Sequence, residues 1–62
     1  MKFIRLNTVM DMTGLARATI YKYMKANAFP KTVSLGGKSV AWVESEVLHW
    51  IELRIAQRDA AE

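Results

Sequence analysis

One stretch in which large apolar and small residues alternate limits most strongly what this chain can fold into. In the segment "TVSLGGKSVAW" (residues 32–42), apolar side chains stand at every second position on both sides of Gly36-Gly37. A period of two is that of a β-strand, and two glycines can both adopt the positive φ that a two-residue hairpin loop needs. The sequence therefore predicts a β-hairpin over about residues 31–42.

The predicted loop also sets a register for this hairpin. Pairing across Gly36-Gly37 places Val33 opposite Val40 and Leu35 opposite Lys38. Because alternate side chains of a strand share a face, one face of the hairpin is predicted to be apolar and to pack on the core. That face comprises Val33, Leu35, Val40 and Trp42.

Two short helical segments precede the hairpin. The first is predicted over about residues 8–12, with Asn7 or Thr8 as its cap and Gly14 as its left-handed exit. The second is predicted over about residues 17–26, since Asn27 suits a left-handed position and Pro30 forbids continuation. Two short helices joined by a glycine-containing turn are typical of a helix-turn-helix.

The two ends of the chain complete the predicted elements. The segment "KFIRL" is predicted to form a short strand, and a C-terminal helix is predicted over about residues 44–60. In that helix Val47, Trp50 and Ile51 recur at the spacing of one face, which Ile55 extends. His49 lies beside this face and is predicted to be a surface residue.

Length and composition exclude several classes of protein. The chain has 62 residues, one histidine and no cysteine, so we expect one domain (residues 1–62), no disulfide, no metal site and no cofactor. One small core leaves little room for a substrate pocket, and no enzyme activity is expected. The predicted core comprises Phe3, Ile4, Leu6, Val9, Met10, Leu15, Ile20, Met24, Phe29, Val33, Leu35, Val40, Trp42, Val47, Trp50, Ile51 and Ile55.

Targeting signals are not expected either. No run of about 18 apolar residues is present, and "MKFIRLNTVM" lacks a long apolar stretch followed by a cleavage site. We therefore expect neither a membrane span nor a signal peptide, and the absence of cysteine fits a reducing cytoplasm.

Charge is distributed unevenly along the chain. Residues 1–40 contain seven Lys and Arg against one acid, whereas residues 41–62 contain two Arg against five acids. Such a split indicates a basic working surface for a polyanion, although small basic proteins are also common.

On a helical wheel of about 100° per residue, the segment 17–26 divides into two arcs. The cationic arc carries Arg17, Ala18, Tyr21, Lys22 and Lys25. The apolar arc carries Ile20, Tyr23 and Met24, and Ala16, the residue before the segment, falls on the same side. The segment contains no Asp or Glu, whereas a solvated face usually mixes charges of both signs.

The cationic arc suits the second helix of a helix-turn-helix, which lies in the major groove. Arg17 can bind guanine O6 and N7 with both arms of its guanidinium, and Tyr21 can contact a thymine methyl or a phosphate. Lys22 and Lys25 are predicted phosphate ligands, which position a protein without reading sequence. The alternative is a solvated amphipathic helix with no ligand.

Two lysines mark the hairpin as a candidate wing. Lys38 follows the glycine pair and Lys31 stands at the base, so the hairpin can lie along a phosphate backbone or a minor groove. Alternatively, Lys38 keeps an edge strand soluble. The predicted fold class is mainly α with a small β-hairpin, arranged as a winged helix-turn-helix DNA-binding domain.

Three motifs, "TGLARATIY", "FPKTVSLGGKSVAW" and "SEVLHWI", resemble in order and spacing the AlpA family of small phage and genomic-island regulators. The resemblance extends from Arg5 to about Arg58. It implies a winged helix-turn-helix similar to excisionase and MerR-type DNA-binding domains. It also implies a regulator that activates a mobile element's integrase gene, or an excisionase (a recombination directionality factor). Either role implies a nucleoid-associated location in the cytoplasm of a bacterium.

Carried over by position, the resemblance implies that the second helix and the wing contact DNA through Arg17, Ala18, Thr19, Tyr21, Lys22 and Lys38. Two positions depart from the family pattern. Ala16 stands where serine is frequent, which removes a helix cap and a hydroxyl for a phosphate. Lys38 stands where arginine is usual, which replaces a two-armed contact by a point charge.

Several alternatives stay open on the sequence alone. Activator and excisionase use the same module, with RNA polymerase or the integrase as the protein partner beside double-stranded DNA. A chain this short is also expected to bind cooperatively or as a dimer, and Leu48 lies off the core arc of the last helix. A different class is a small protein-interaction adaptor that uses the acidic last helix without specific DNA binding. Arg5 can meet a phosphate or a carboxylate of the last helix.

Overall fold

A computed structural model describes residues 2–61 of the chain. These residues form three α-helices and one three-stranded antiparallel sheet. In chain order the elements are β1 (Phe3–Ile4), α1 (Leu6–Thr13), α2 (Arg17–Lys25), β2 (Val33–Gly36), β3 (Ser39–Val43) and α3 (Glu44–Ala61). The predicted class, mainly α with a small hairpin in a winged helix-turn-helix arrangement, is confirmed.

Helix α1 begins earlier than its polar residues suggest. Its N-cap is Arg5, whose backbone is extended (φ −96°, ψ 171°) and whose carbonyl accepts the Val9 N–H at 3.1 Å. Among residues 2–61 no side chain caps this end, so the prediction of Asn7 or Thr8 as cap is wrong. Leu6 packs against the core, and this packing outweighs the capping preference because tertiary contacts supply most helix stability.

The turn between α1 and α2 is closed by local hydrogen bonds. Gly14 adopts the left-handed conformation (φ 72°) and donates its N–H to the Met10 carbonyl at 2.8 Å. The Thr13 hydroxyl donates to the Val9 carbonyl at 2.8 Å and accepts the Leu15 N–H at 3.2 Å. These bonds satisfy groups that a helix end leaves open, and they fix where α2 starts.

Strand β3 is the centre of the sheet, with β1 and β2 on either side. Phe3 pairs with Val43 and Ile4 with Trp42, so the predicted strand at the start of the chain joins the hairpin. The hydrogen bonding between β1 and β3 continues by one more bond, in which the Glu44 N–H donates to the Lys2 carbonyl at 2.8 Å.

The hairpin is present, but the predicted register and the predicted loop are each displaced by one residue from those observed. Gly36 pairs with Ser39, so the loop is Gly37-Lys38, and the ladder is irregular between Ser34 and Gly36. Both glycines have positive φ (113° and 55°), as expected, yet Gly36 ends β2 instead of opening the loop. The observed Cα partners are Val33 with Ala41, Ser34 with Val40, and Gly36 with Ser39.

The apolar face predicted for this hairpin is also wrong. Val33, Leu35 and Val40 are 37%, 43% and 36% exposed, whereas Trp42 is 1% exposed. The physical reason is the position of β1, which pairs with the C-terminal half of β3. The buried part of β3 is Ala41, Trp42 and Val43, and the loop end of the hairpin extends beyond the core.

The core is small and, within residues 2–61, its buried members are all apolar. Its centre comprises Ile4, Val9, Ile20, Phe29, Trp42 and Val47. Half-buried side chains surround it: Leu6, Met10, Met12, Leu15, Tyr23, Met24, Trp50 and Ile51. Phe3 and Ile55, which the sequence placed in the core, are each 46% exposed. The helices described here fall short of the length and apolarity that crossing a bilayer requires.

Candidate nucleic-acid interface

Helix α2 has one face in the core and the opposite face in solvent. Ile20 is fully buried, and Tyr23 and Met24 pack half-buried against the core. Ala16, which the wheel placed on the packed side, is exposed because it precedes the helix. The exposed face carries Arg17, Ala18, Tyr21, Lys22 and Lys25, the five residues of the predicted cationic arc.

Thr19 lies at the border between the two faces. Its side chain is half-buried, at about 200° on the wheel that starts from Arg17. A ligand bound on the cationic arc can therefore contact only the exposed part of the Thr19 side chain.

The dimensions of the exposed face match a DNA groove. An α-helix with its side chains is about 10–12 Å in diameter, and the major groove of B-DNA, about 12 Å wide, admits it. Tyr21 stands between Arg17 and Lys25 and is 44% exposed. The small Ala18 lets the helix backbone approach a surface closely.

The N-terminal end of α2 is open to solvent. Ala16 is the N-cap, with extended backbone (φ −74°, ψ 156°), and within the described chain no side chain bonds to the first-turn amides. These amides add a partial positive charge at the end that carries Arg17. A serine here would have a hydroxyl in the capping position, which alanine lacks.

The charges on α2 are not neutralised within the molecule. The ion pairs found among residues 2–61 join Lys2 to Glu44 at 3.9 Å and Arg58 to Asp59 at 2.9 Å. Both pairs involve α3 residues and neither includes a cation of α2. The positive potential of the α2 face is therefore available to an external anion. The pair with Glu44 is made by Lys2, and Arg5 is exposed.

Lys31 and Lys38 occupy different environments. The Lys31 ammonium donates to the Met24 carbonyl in the last turn of α2, where a cation complements the negative end of the helix. The same carbonyl accepts the Asn27 N–H at 3.1 Å, and Asn27 has the left-handed conformation (φ 59°) expected there. Lys38 lies in the hairpin loop and is exposed.

Two tryptophans hold the connection between α2 and β2. The Trp50 indole N–H donates to the Ala28 carbonyl at 2.8 Å, and the Trp42 indole N–H donates to the Pro30 carbonyl at 3.1 Å. Between them Phe29 is buried and meets the Trp50 ring edge-on at a centroid distance of 4.8 Å. The sheet and α3 thus fix this connection, and with it the position of the hairpin relative to α2.

The structure adds surface groups that the sequence analysis had placed in the core. Val33, Leu35 and Val40 lie exposed on the hairpin that carries Lys38. The signal that distinguishes them is their neighbourhood, since glycine, serine and lysine surround them in a loop-rich segment. Within residues 2–61, His, Asp and Glu do not gather in groups of three that could hold a metal ion.

Comparison with known proteins places the chain in a family. The sequence profile described as prophage CP4-57 regulatory protein (AlpA) matches residues 2–55. The chain is 51% identical over 57 residues to the uncharacterized protein ORF88 of Enterobacteria phage P4, an alignment that covers 92% of this chain and 65% of that protein. It is 41% identical over 59 residues to the DNA-binding transcriptional activator AlpA of Escherichia coli (strain K12), covering 86% of this chain and 84% of that protein.

The chain thus spans about two thirds of the phage P4 protein and most of the E. coli protein. The profile match extends from β1 into α3, so it includes the helix-turn-helix, the hairpin and the start of the last helix. The chain therefore belongs to the AlpA family of prophage regulatory proteins.

Proposed function

We propose that this chain is a sequence-specific DNA-binding regulator of a prophage or genomic island, acting by binding and not by catalysis in a bacterial cytoplasm. The observation that carries the proposal is the exposed face of α2, which holds three cations and a tyrosine and contains no acid. Its relative in E. coli is described as a DNA-binding transcriptional activator, which supports the same class of ligand.

In this proposal α2 lies in the major groove. Arg17, at the N-terminal end, binds a guanine through O6 and N7, while Ala18 and the edge of Thr19 allow close approach to the bases. Tyr21 contacts a thymine methyl or a phosphate. Lys22 and Lys25 bind phosphates and set the position of the helix.

The hairpin acts as a wing beside this helix. Lys38 at the loop binds a phosphate of the flanking backbone, and Lys31 adds positive charge beside the C-terminal end of α2. Lys31 can do so while bonded to Met24, since an ammonium has three donors. The fixed connection between α2 and β2 supports simultaneous contact by helix and wing.

Binding measured by fluorescence anisotropy, at several salt concentrations, tests the proposal. The probes are duplexes from the element's own attachment and promoter regions and a shuffled duplex of equal composition. The Lys22→Ala variant is expected to weaken binding to all duplexes and to lower the salt slope by about one unit. The Arg17→Ala variant is expected to lose about 1–3 kcal/mol of discrimination between correct and altered bases.

The matched control is Glu52→Gln, on the exposed part of α3, which should leave specificity unchanged. Equal affinity for the element's duplexes and the shuffled duplex at every salt concentration would refute sequence-specific binding. If Arg17→Ala and Lys22→Ala change binding in the same way, Arg17 is a phosphate ligand and not the base reader.

Within this class of protein, the chain acts either as an activator of integrase expression or as an excisionase. An activator contacts RNA polymerase, and an excisionase assembles with the integrase on attachment DNA. Excision in vitro with the cognate integrase, with and without this chain, separates the two roles. Stimulated excision assigns the excisionase role, and transcription from the integrase promoter in a purified system assigns the activator role.

A second candidate function is a protein-interaction adaptor. An open groove between the α2–β2 connection and α3 favours it, because Phe29, Trp50 and Leu53 give this groove an apolar floor and side. Co-purification that resists nuclease treatment, together with no DNA shift at low salt, would favour the adaptor over the DNA-binding regulator.

A further inference from the structure

Three large aliphatic side chains lie exposed on the β2–β3 hairpin. They are Val33, Leu35 and Val40, all within residues 33–40. Single exposed apolar residues are common on protein surfaces, whereas several close together mark a surface that contacts another molecule. The proposed contact of Lys38 with a phosphate does not use these side chains, so the hairpin has binding capacity beyond its charge.

Leu35 differs from the two valines because it lies in a β-bulge. Ser34 pairs with Val40 and Gly36 with Ser39, so β2 has one more residue than β3 over this interval, and the extra residue is Leu35. The adjacent Gly36 has φ 113°, a conformation that other residues rarely adopt. A bulge bends its strand and redirects a side chain. The backbone therefore holds Leu35 outside the core, at the loop end of the hairpin.

The charge of the hairpin indicates what covers this leucine. Residues 31–43 contain two lysines and no acid, and the ion pairs found among residues 2–61 include neither lysine. An exposed leucine in a purely cationic segment suits a polyanion that also has apolar surface. DNA has both in its minor groove, where phosphates line the rims and sugars form the walls, and where proteins insert leucine and other apolar side chains.

The hairpin is long enough to bring Leu35 to a minor groove while α2 lies in the major groove. Lys31 bonds to the Met24 carbonyl at the C-terminal end of α2, so the hairpin starts beside that helix. An extended chain from Lys31 to Leu35 spans up to about 14 Å, and the leucine side chain adds about 4 Å. The centres of adjacent major and minor grooves are about 17 Å apart, half of the helical repeat of about 34 Å. Leu35 is therefore within reach of the neighbouring minor groove.

One chemical group distinguishes base pairs for a leucine in that groove. Acceptors lie on the minor-groove floor of every base pair, but only G·C pairs add a donor, the guanine N2 amino group. This amino group projects from the floor into the space that the leucine needs. Covering it with an apolar side chain also leaves its hydrogen bond unmade. A leucine there disfavours guanine without making a hydrogen bond itself.

We propose that Leu35 is a specificity-determining residue, which lies in the minor groove beside the site of α2 and selects base pairs that lack the guanine amino group. This inference rests on the proposed DNA-binding function. It adds a discrimination that contacts between lysine and phosphate do not supply, because phosphates are the same in every sequence.

Inosine in the flanking DNA tests the proposal. Hydroxyl-radical footprinting first maps the flanking segment, and duplexes are then made with G·C or inosine·C pairs there. The two pairs present the same groups in the major groove, and only the minor-groove amino group is lost. The unmodified chain is expected to bind the inosine duplex about fivefold tighter, the size expected for covering part of a leucine side chain.

Variants assign this ratio to the leucine. Leu35→Ser should lose most of the ratio and Leu35→Met should keep it, while urea denaturation verifies that each variant is folded. The matched control is Leu48→Ser on α3, where a leucine is similarly exposed, and it should keep the full ratio. A preference caused by greater flexibility of inosine pairs would persist in Leu35→Ser and would overturn the inference.

Salt dependence separates the apolar contact from the ionic one. On the inosine duplex Lys38→Ala should lower the salt slope by about one unit. Leu35→Ser should weaken binding about fivefold at every salt concentration and leave the slope unchanged, since an apolar contact releases no counterions.

The outcomes distinguish this inference from the function on which it rests. Equal affinity of the unmodified chain for the element's duplexes and a shuffled duplex would contradict the proposed function. With specific binding intact, equal affinity for G·C and inosine flanks would overturn the inference alone. Unchanged DNA binding by Leu35→Ser would also overturn it, and would leave the exposed side chains of the hairpin to a protein partner.

Discussion

Helix α2 and the β2–β3 hairpin both border the core, but they are anchored to it differently. Ile20, Tyr23 and Met24 attach α2 along most of its length, so its exposed face has a fixed direction. The hairpin is attached at one end, through Trp42 and its neighbours, and its other end is exposed on both strands. A rigid helix suits contacts that depend on exact base position, and a hairpin held at one end suits contacts that follow a backbone.

The largest effect is expected at Trp42, which anchors the hairpin to the core. Trp42→Ala should destabilise the chain by about 3–5 kcal/mol, because it opens a cavity and removes the bond to the Pro30 carbonyl. A domain of this size has about 3–9 kcal/mol in total, so loss of cooperative unfolding is expected in circular dichroism melts.

Val40→Ala in the same strand is the matched control and should change stability by less than about 1 kcal/mol, since Val40 is 36% exposed. If the two variants melt alike, the hairpin is anchored along its whole length and the comparison fails.

A smaller effect is expected at the start of α2. Ala16→Ser places a hydroxyl at an N-cap position whose backbone is already extended, and it should stabilise the chain by about 1 kcal/mol. That corresponds to a rise of about 4–8 °C in the melting temperature for a domain of this size. Ala16→Val, which lacks the hydroxyl and caps no better than alanine, is the control, and an equal rise there would show that the added hydroxyl is not the cause.

The smallest effect is expected at the exposed end of the hairpin. Leu35→Ser should change the free energy of unfolding by no more than about 0.5 kcal/mol, because Leu35 is 43% exposed and lies outside the core. Urea denaturation measures this. A loss above about 1 kcal/mol would mean that Leu35 is packed, as the sequence pattern had suggested.

Helix α2 and the β2–β3 hairpin also differ in how well the sequence predicts their structure. For α2 the period of the apolar residues decides which side is buried, and the observed burial of Ile20, Tyr23 and Met24 follows the wheel. The turn at Gly14 and the left-handed Asn27 were likewise predictable from local conformational preference. The DNA contacts assigned to the exposed face stay predictions.

The hairpin register was not predictable in the same way. Gly36-Gly37 and Gly37-Lys38 both make acceptable two-residue loops, and a shift of one residue changes every partner. The deciding contacts are distant in sequence, since β1 pairs with β3 across most of the chain. Local pattern contains no information on that pairing, nor on the bond between Lys31 and the end of α2.

The two indole hydrogen bonds that hold the α2–β2 connection also make the molecule optically informative. Both tryptophans of the chain donate to this one connection, one from a buried site and one from a half-buried site under the Arg54 guanidinium, 5.3 Å from the ring centroid. Their fluorescence is therefore sensitive to any rearrangement of this connection in the unlabelled protein. A shift of the emission spectrum on adding DNA would mean that the connection between helix and wing changes when the protein binds.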